Sequence, residues 1–569
     1  MAEVYAPPMT TPSPLFAFAD RIIDEQAALD PCGATGRGIA GHDHLLTDWS
    51  PDGQHARAEH NRRARAELDT LPITGEHDRL ARDFIAERFD TSLLAFDAGE
   101  WQRSVRAIAA PASALRGTFD LMSRDGEAAW SNIADRLALV PTALAGLQAT
   151  YELGRAEGRM SARRQAHAAA DQAGTWAANR WFDTLSAEAA TAALPSALVE
   201  QVRTGADAAN AAYAAFAQYL RTTYAPNAPE ADGCGAERYR IGVRQMLGAD
   251  FDPAEMYEWA WDDFHHLRAE ITATCERILP GAGFAEVIHL LDHDPDPARA
   301  AHGVDEYQRW LQTLTDEALE RSHEHFEIPT QMNRCEALIP PEGSAAAAYY
   351  TSPSEDFSRP GRTWYPTLGR TQFPKWGDVT TCYHESVPGH HLQLAYALVQ
   401  AGSLSRIQRM SFISGHGEGW ALYAEQLCDE FGWFENPDHR LGFLAGQMLR
   451  TVRVIIDIGM HLAMRIPEDT TLADGSPFHG GEVWTPDLGY EFSLSETGNT
   501  EAFMRSEIDR YLGWPAQAIS YKIGQREWVA ARDEARRRDG AAFDLRAWHT
   551  RALRLGAVGL DQLRTELAR

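Results

Sequence analysis

Cysteine is scarce and has no pattern: Cys32, Cys234, Cys275, Cys335, Cys382 and Cys428 are scattered over 569 residues without a Cys-x-x-Cys pair. That excludes cysteine-built zinc ribbons and disulfide-stapled scaffolds, and a reducing compartment fits. Basic charge is also short. Against 81 Asp and Glu there are 53 Lys and Arg, a net charge of −28 whose field repels nucleic-acid backbones and anionic membranes; neither is expected as a partner. Long apolar runs are missing, and "MAEVYAPPMTTPSPLFAFADRIIDEQ" has no basic start followed by an apolar core. A cytoplasmic location is therefore expected. Alternating β-branched runs are rare and no internal repeat is found.

What is present reads as a globular protein, with 44% hydrophobic and 24% charged residues. The length suits several domains or one large fold with a deep cleft between two halves. From about residue 55 to 222 the pattern is helical and Ala-rich, as in "ADAANAAYAAFAQYLRTTY". Breaks follow at "TTYAPNAPEADGCG", "LDHDPDPARAAHG" and "LIPPEGSAAAAYYTSPSEDFSRPGRTWYP". Helical periodicity returns after Gly377 and runs to a last long helix expected to open at Pro515 and stop at Gly540. The expected class is mainly α, with a few short strands near "YYTSPSEDFSRPGRTWYP" and "GGEVWTP" and two helical halves, residues 1–240 and 241–569, folding as one unit. The tract "LDHDPDPARA" reads as a rigid surface loop.

The segment "TCYHESVPGHHLQL" carries the chemistry. In zinc-protease helices two histidines four apart share a face and the Glu beside the first serves as base, yet here Pro388 stands four after His384. On a straight helix His391 would lie about 20° round from His384 but about 10.5 Å along the axis, and His390 about 120° round at about 9 Å. Neither could share a metal with it. Pro388 and Gly389 are helix breakers placed where a deviation is needed, and a bulge absorbing two residues would return His390 to the position of the usual second histidine.

A catalytic zinc takes three protein ligands and keeps one position open, so another should follow. Glu418 in "GHGEGWALYAEQL" comes 28 residues after His390, enough for a helix, a turn and a return. Glu425, seven further on, shares its face and is placed to orient a ligand. Asp457 and His461 in "DIGMH" are spaced to form a similar supporting pair or a hydrogen-bonded core pair. Arg453 and Arg510 are candidates for a peptide carboxylate or for helix-surface ion pairs. The aromatic segment with Tyr349, Tyr350, Trp364 and Tyr365 either faces substrate or closes the cleft by packing.

Five ordered motifs, "HESVPGHHLQ", "GEGWALYAEQL", "VRVIIDIGMH", "RYLGWPAQAISYKIG" and "FDLRAWHTRAL", resemble the bacterial domain-of-unknown-function 885 family from roughly residue 15 to the end. That family resembles the gluzincin metallopeptidases, including the thimet oligopeptidase and neurolysin group, which are mainly helical and enclose a zinc cleft. The resemblance implies zinc held by His384, Glu418 and a histidine of the Gly389-His390-His391 group, with His390 preferred and His391 the alternate, and Glu385 as the base that activates water. It also implies a tyrosine stabilising the oxyanion, for which Tyr521 is the first choice and Tyr511 the second. The expected function is a zinc metallopeptidase of short peptides; the alternatives are a zinc hydrolase of other amides or esters, and a noncatalytic peptide-binding relative.

Overall fold

The computed structural model describes residues 13–340 and 347–569. The first twelve residues, on which the reading of the amino terminus partly rests, and the Ala-rich centre of the break ahead of Tyr349 lie outside the described residues. Helix makes up 67% and strand 4%, the mainly α class expected. Helix starts follow local chemistry: Ser50 accepts from the Gly53 amide ahead of helix Pro51–Leu68, and Asn436 from Asp438 ahead of Pro437–Leu462, each with proline in the first turn.

Two large apolar cores divide near the break at 222–235. One gathers residues from Cys32 to Ala228, centred on the helices Gly126–Ala156 and Ser196–Tyr219. The other runs from Tyr239 to Leu567, with Leu80 its single contribution from earlier in the chain. A third cluster packs helices Pro14–Leu29 and Glu76–Asp97 against Ile407, Ile413 and Ala557, so the amino-terminal helices lie on both halves.

The strands are β1 (Ala300–His302), β2 (Cys335–Leu338), β3 (Tyr349–Thr351), β4 (Gly361–Trp364) and β5 (Gln372–Pro374). β4 pairs in parallel with β2 and antiparallel with β3, while β1 pairs with β5. The expected strand near "YYTSPSEDFSRPGRTWYP" is thus a β3–β4 pair, whereas "GGEVWTP" supplies only an isolated bridge between Val483 and Arg465.

The last long helix differs from expectation at its start. It spans Ser520–Asp539, with Gly540 after it as expected, but Pro515 does not open it. Ala516 takes a left-handed φ of 64° and gives its amide to the Asp457 carboxylate at 3.1 Å, which ends any helical path there. No described helix is long and apolar enough to cross a membrane.

Candidate metal centre

The zinc-motif helix stops where its breakers stand. Helix Asp378–Glu385 ends at Ser386, and a new helix, His390–Leu398, starts after Gly389. The deviation is a full break across Ser386–Gly389 rather than the bulge expected from spacing. The Ser386 amide still bonds Cys382 O at 2.8 Å, but Gly389 N reaches back to Tyr383 O at 3.0 Å. Trp420, from helix Ser414–Glu430, donates its indole N–H to the carbonyls of Pro388 (2.9 Å) and Gly389 (3.2 Å). A side chain on another helix thus holds the break open, which no local periodicity could reveal. A Cβ at Gly389 would collide with the carbonyl oxygen of His384, so Gly389→Ala should displace His384 or His390 and cut zinc affinity by at least the 10–100-fold typical of lost ligand support. Competitive chelator titration measures it, and unchanged affinity would contradict this account of the break.

With the chain broken there, the two imidazoles meet at a ring separation of 4.8 Å and an interplanar angle of 87°. Nε2 of His384 and Nε2 of His390 lie 3.3 and 3.4 Å from the same oxygen, Oε2 of Glu418. That oxygen is buried and makes no aligned hydrogen bond. Zinc bonds of about 2.0–2.1 Å in a tetrahedron set neighbouring ligand atoms about 3.3–3.4 Å apart, the observed spacing. Among the described residues His384, His390 and Glu418 are the one group of three or more His, Cys, Asp or Glu side chains arranged to hold a metal ion. The tract "LDHDPDPARA" belongs to no such group; Arg299 ties its Asp294 to Asp438.

Glu425 meets the first histidine directly. Nδ1–H of His384 donates to its Oε1 at 2.7 Å, while Thr380 donates to its Oε2 at 2.6 Å, leaving the His384 Nε2 facing Glu418. Thr380, one turn before His384, went unnoticed in the sequence, although that spacing on the same face was a usable signal. Burial disfavours charge on His384, but the carboxylates of Glu418 and Glu425 outweigh it and hold the imidazolium up to about 10. Burial likewise opposes ionisation of Glu418 and is overcome by the two imidazoles, which keep its carboxyl below the usual range. Glu385 is buried beside them, and burial pushes its carboxyl up against the opposing pull of His384 and His390. Glu418 keeps 15% of its side chain exposed, so solvent reaches the group.

His391 is spent elsewhere. Its Nε2–H donates to Met332 O and its Nδ1 accepts from the Tyr350 hydroxyl, both at 2.9 Å, and burial drives its pKa down to about 4. The neutral ring pins β3 in place and gives Tyr350 a packing role, while His390 is the histidine grouped with His384 and Glu418. Tyr349 stacks on Trp364 at 5.9 Å and Tyr365 is buried.

Tyr521 and Tyr511 separate as well. Tyr521 lies close enough to Glu418 for that charge to add to burial in raising its pKa, and its ring sits 5.1 Å under the Arg453 guanidinium. Tyr511 donates to Glu507 at 2.6 Å and accepts from Arg453 at 3.0 Å, so its hydroxyl is taken up in a buried cluster. Arg453 and Arg510 share that Glu507 carboxylate rather than standing free for a ligand. Asp457 accepts from Tyr239 at 2.7 Å, and His461 bonds Tyr511 O at 3.1 Å and Cys234 N at 3.2 Å. The pair is a core support touching none of the three ligand candidates.

Tyr521 is positioned by glycines. A Cβ at Gly419 would collide with the Gly524 backbone, and one at Gly524 with Gly415 O, so helices Ser414–Glu430 and Ser520–Asp539 approach backbone to backbone. This brings the Glu418 and Tyr521 turns together. The four-residue spacing of Gly415 and Gly419 was the available signal.

The family model described as "Bacterial protein of unknown function (DUF885)" matches residues 31–567. No curated protein matches the chain. Among the solved structures that share its fold are two proteins of low identity. The "putative lipoprotein" from Colwellia psychrerythraea is 20% identical, with a TM-score of 0.82 and 97% of each chain covered. A "putative lipoprotein of unknown function" from Shewanella oneidensis is 18% identical, with a TM-score of 0.73 and coverage of 97% of this chain and 99% of that one.

Proposed function

This chain belongs to the bacterial DUF885 family, and we propose that it is a zinc-dependent metallopeptidase of short peptides with its metal in a cleft between helical halves. The observation that carries the reading is the tetrahedral edge spacing of 3.3 and 3.4 Å around Oε2 of Glu418. His384, His390 and Glu418 would hold the ion. When bound there, zinc would supply a Lewis acid that polarises the scissile carbonyl and makes water acidic near neutral pH.

The chain's own residues divide the remaining work. Glu385, adjacent in sequence to the first ligand and with its carboxyl raised by burial, takes the proton of the attacking water and passes it to the leaving amine. Glu425, braced by Thr380, keeps the proton of His384 on Nδ1 so that Nε2 offers its lone pair. Tyr521, held protonated by burial and the nearby Glu418 charge, donates to the developing oxyanion.

Purified protein should carry about one zinc per chain and lose hydrolysis of short peptides on chelation. A panel of dipeptides, acyl-peptides and simple esters decides the substrate class. Turnover of esters alone would favour the non-peptide hydrolase, and peptide binding without turnover in added zinc would favour a noncatalytic relative.

Protonation gives a second test. In the metal-free folded protein His384 keeps its proton up to about pH 10 against an ordinary value of 6.5. A raised pKa contributes stability that is complete below 6.5 and lost as pH rises through 10. Zinc takes that proton's place, so melting temperature should fall across this window in chelator and hold in zinc. Parallel curves with and without metal would contradict the ligand role of His384.

A further inference from the structure

A second polar site lies away from the metal centre. A cavity of about 370 Å³ opens between helices Pro51–Leu68 and Glu76–Asp97, helix Gly235–Leu247 and the turn at Gly513–Pro515. None of His384, Glu385, His390, Glu418 or Tyr521 lines it. Its wall carries four guanidiniums, Arg57, Arg103, Arg106 and Arg238, and Glu100 is the single carboxylate among the described residues lining it.

The charges do not balance. Glu100 is already taken, by Arg238 at 2.7 and 2.8 Å and by Arg103 at 3.2 Å. Arg106 bonds only the carbonyls of Ile108 (3.1 Å) and Ala109 (2.7 Å), and Arg57 those of Asp48 (2.7 Å) and Leu29 (3.4 Å). Asp30 and Asp48 act on Arg57 only through their field, and their carboxylates accept hydrogen bonds from Thr47 and Ser50. Burial weighs first against the charged forms of Arg57, Arg103 and Arg106. In a chain of net charge −28, four guanidiniums around a single lining carboxylate are a local concentration of positive charge.

The remaining wall suits an organic ligand. Trp101 lies flat on Phe96 at 5.6 Å and 9°, and Trp514 also lines the cavity, with Arg106 5.5 Å over its ring. Gln54, Asn61 and Gln245 offer amide donors. Fixed guanidinium forks match planar carboxylate and phosphate oxygens, and the volume falls in the range of small-molecule sites.

We infer that this cavity is a binding site for a small organic anion carrying at least two negative charges on phosphate or carboxylate groups, separate from the metal centre. The site's existence does not depend on the zinc reading.

Calorimetric titration of the full-length protein with adenosine monophosphate, succinate and uncharged adenosine tests it. At least one anion should bind with a Kd of about 1 mM or tighter, adenosine should not, and affinity should weaken as salt is raised; the two anions separate phosphate from carboxylate recognition. Arg57→Gln combined with Arg106→Gln should weaken binding at least about tenfold while leaving zinc content and peptide hydrolysis unchanged, and Arg103→Gln alone should weaken it in the same sense. Three results would overturn the proposal: no binding of either anion, affinity indifferent to salt and to these substitutions, or binding that survives them and disappears on chelation, which places the anion at the metal.

Discussion

Glu385→Gln should lower peptide hydrolysis by at least about 10²–10⁴-fold, the usual contribution of a positioned general base, and leave zinc at one per chain. The substitution keeps the side chain's size and one acceptor oxygen but removes the group that can hold a proton. Glu385 is buried beside the two histidines, which attract its carboxylate, and the variant gives up that attraction while keeping the side chain's shape. Loss of activity with intact metal therefore reads on proton transfer. Full activity would remove Glu385 from the mechanism. Tyr521→Phe should lower kcat with little change in KM, because a hydroxyl that meets only the oxyanion acts in the transition state alone. Tyr511→Phe should instead lower stability, since its hydroxyl bonds Glu507 and Arg453 in the buried cluster.

The second large effect concerns the metal. His384→Ala, His390→Ala and Glu418→Ala should each abolish stoichiometric zinc, and Glu425→Ala should weaken zinc by about 10–100-fold, as removal of an orienting partner does. His391→Ala should keep its zinc and lose stability instead, because its ring joins Tyr350 to the Met332 carbonyl in the interior. Elemental analysis after dialysis against a weak chelator separates the five variants. A zinc-free His391→Ala with a zinc-loaded His390→Ala would reverse the ligand assignment.

Much of this site could be read along the chain because its spacing is local. Pro388 and Gly389 mark where the helix must stop, and Glu418 and Glu425 share a face by periodicity alone. What escaped the sequence depends on contacts between remote segments. Whether two extra residues form a bulge or a full break is decided by Trp420, 32 residues after Pro388, reaching its carbonyl. The helix expected at Pro515 fails because Asp457, 59 residues earlier, captures the Ala516 amide. Arg453 looks available on its own helix until folding brings it to Glu507, which already pairs with Arg510 three residues on. The role of Gly524 is invisible until its helix lies against Gly415 and Gly419. The arginine cavity draws its four cations from separate stretches, at residues 57, 103, 106 and 238, and no spacing rule connects them.

The most direct measurement is an anomalous-difference map collected at the zinc edge from crystals of the purified protein. One strong peak should stand between Nε2 of His384, Nε2 of His390 and Oε2 of Glu418, with no density bridging to His391. A zinc-replete crystal with no peak among these three side chains, or with its zinc bound to His391, would contradict the account.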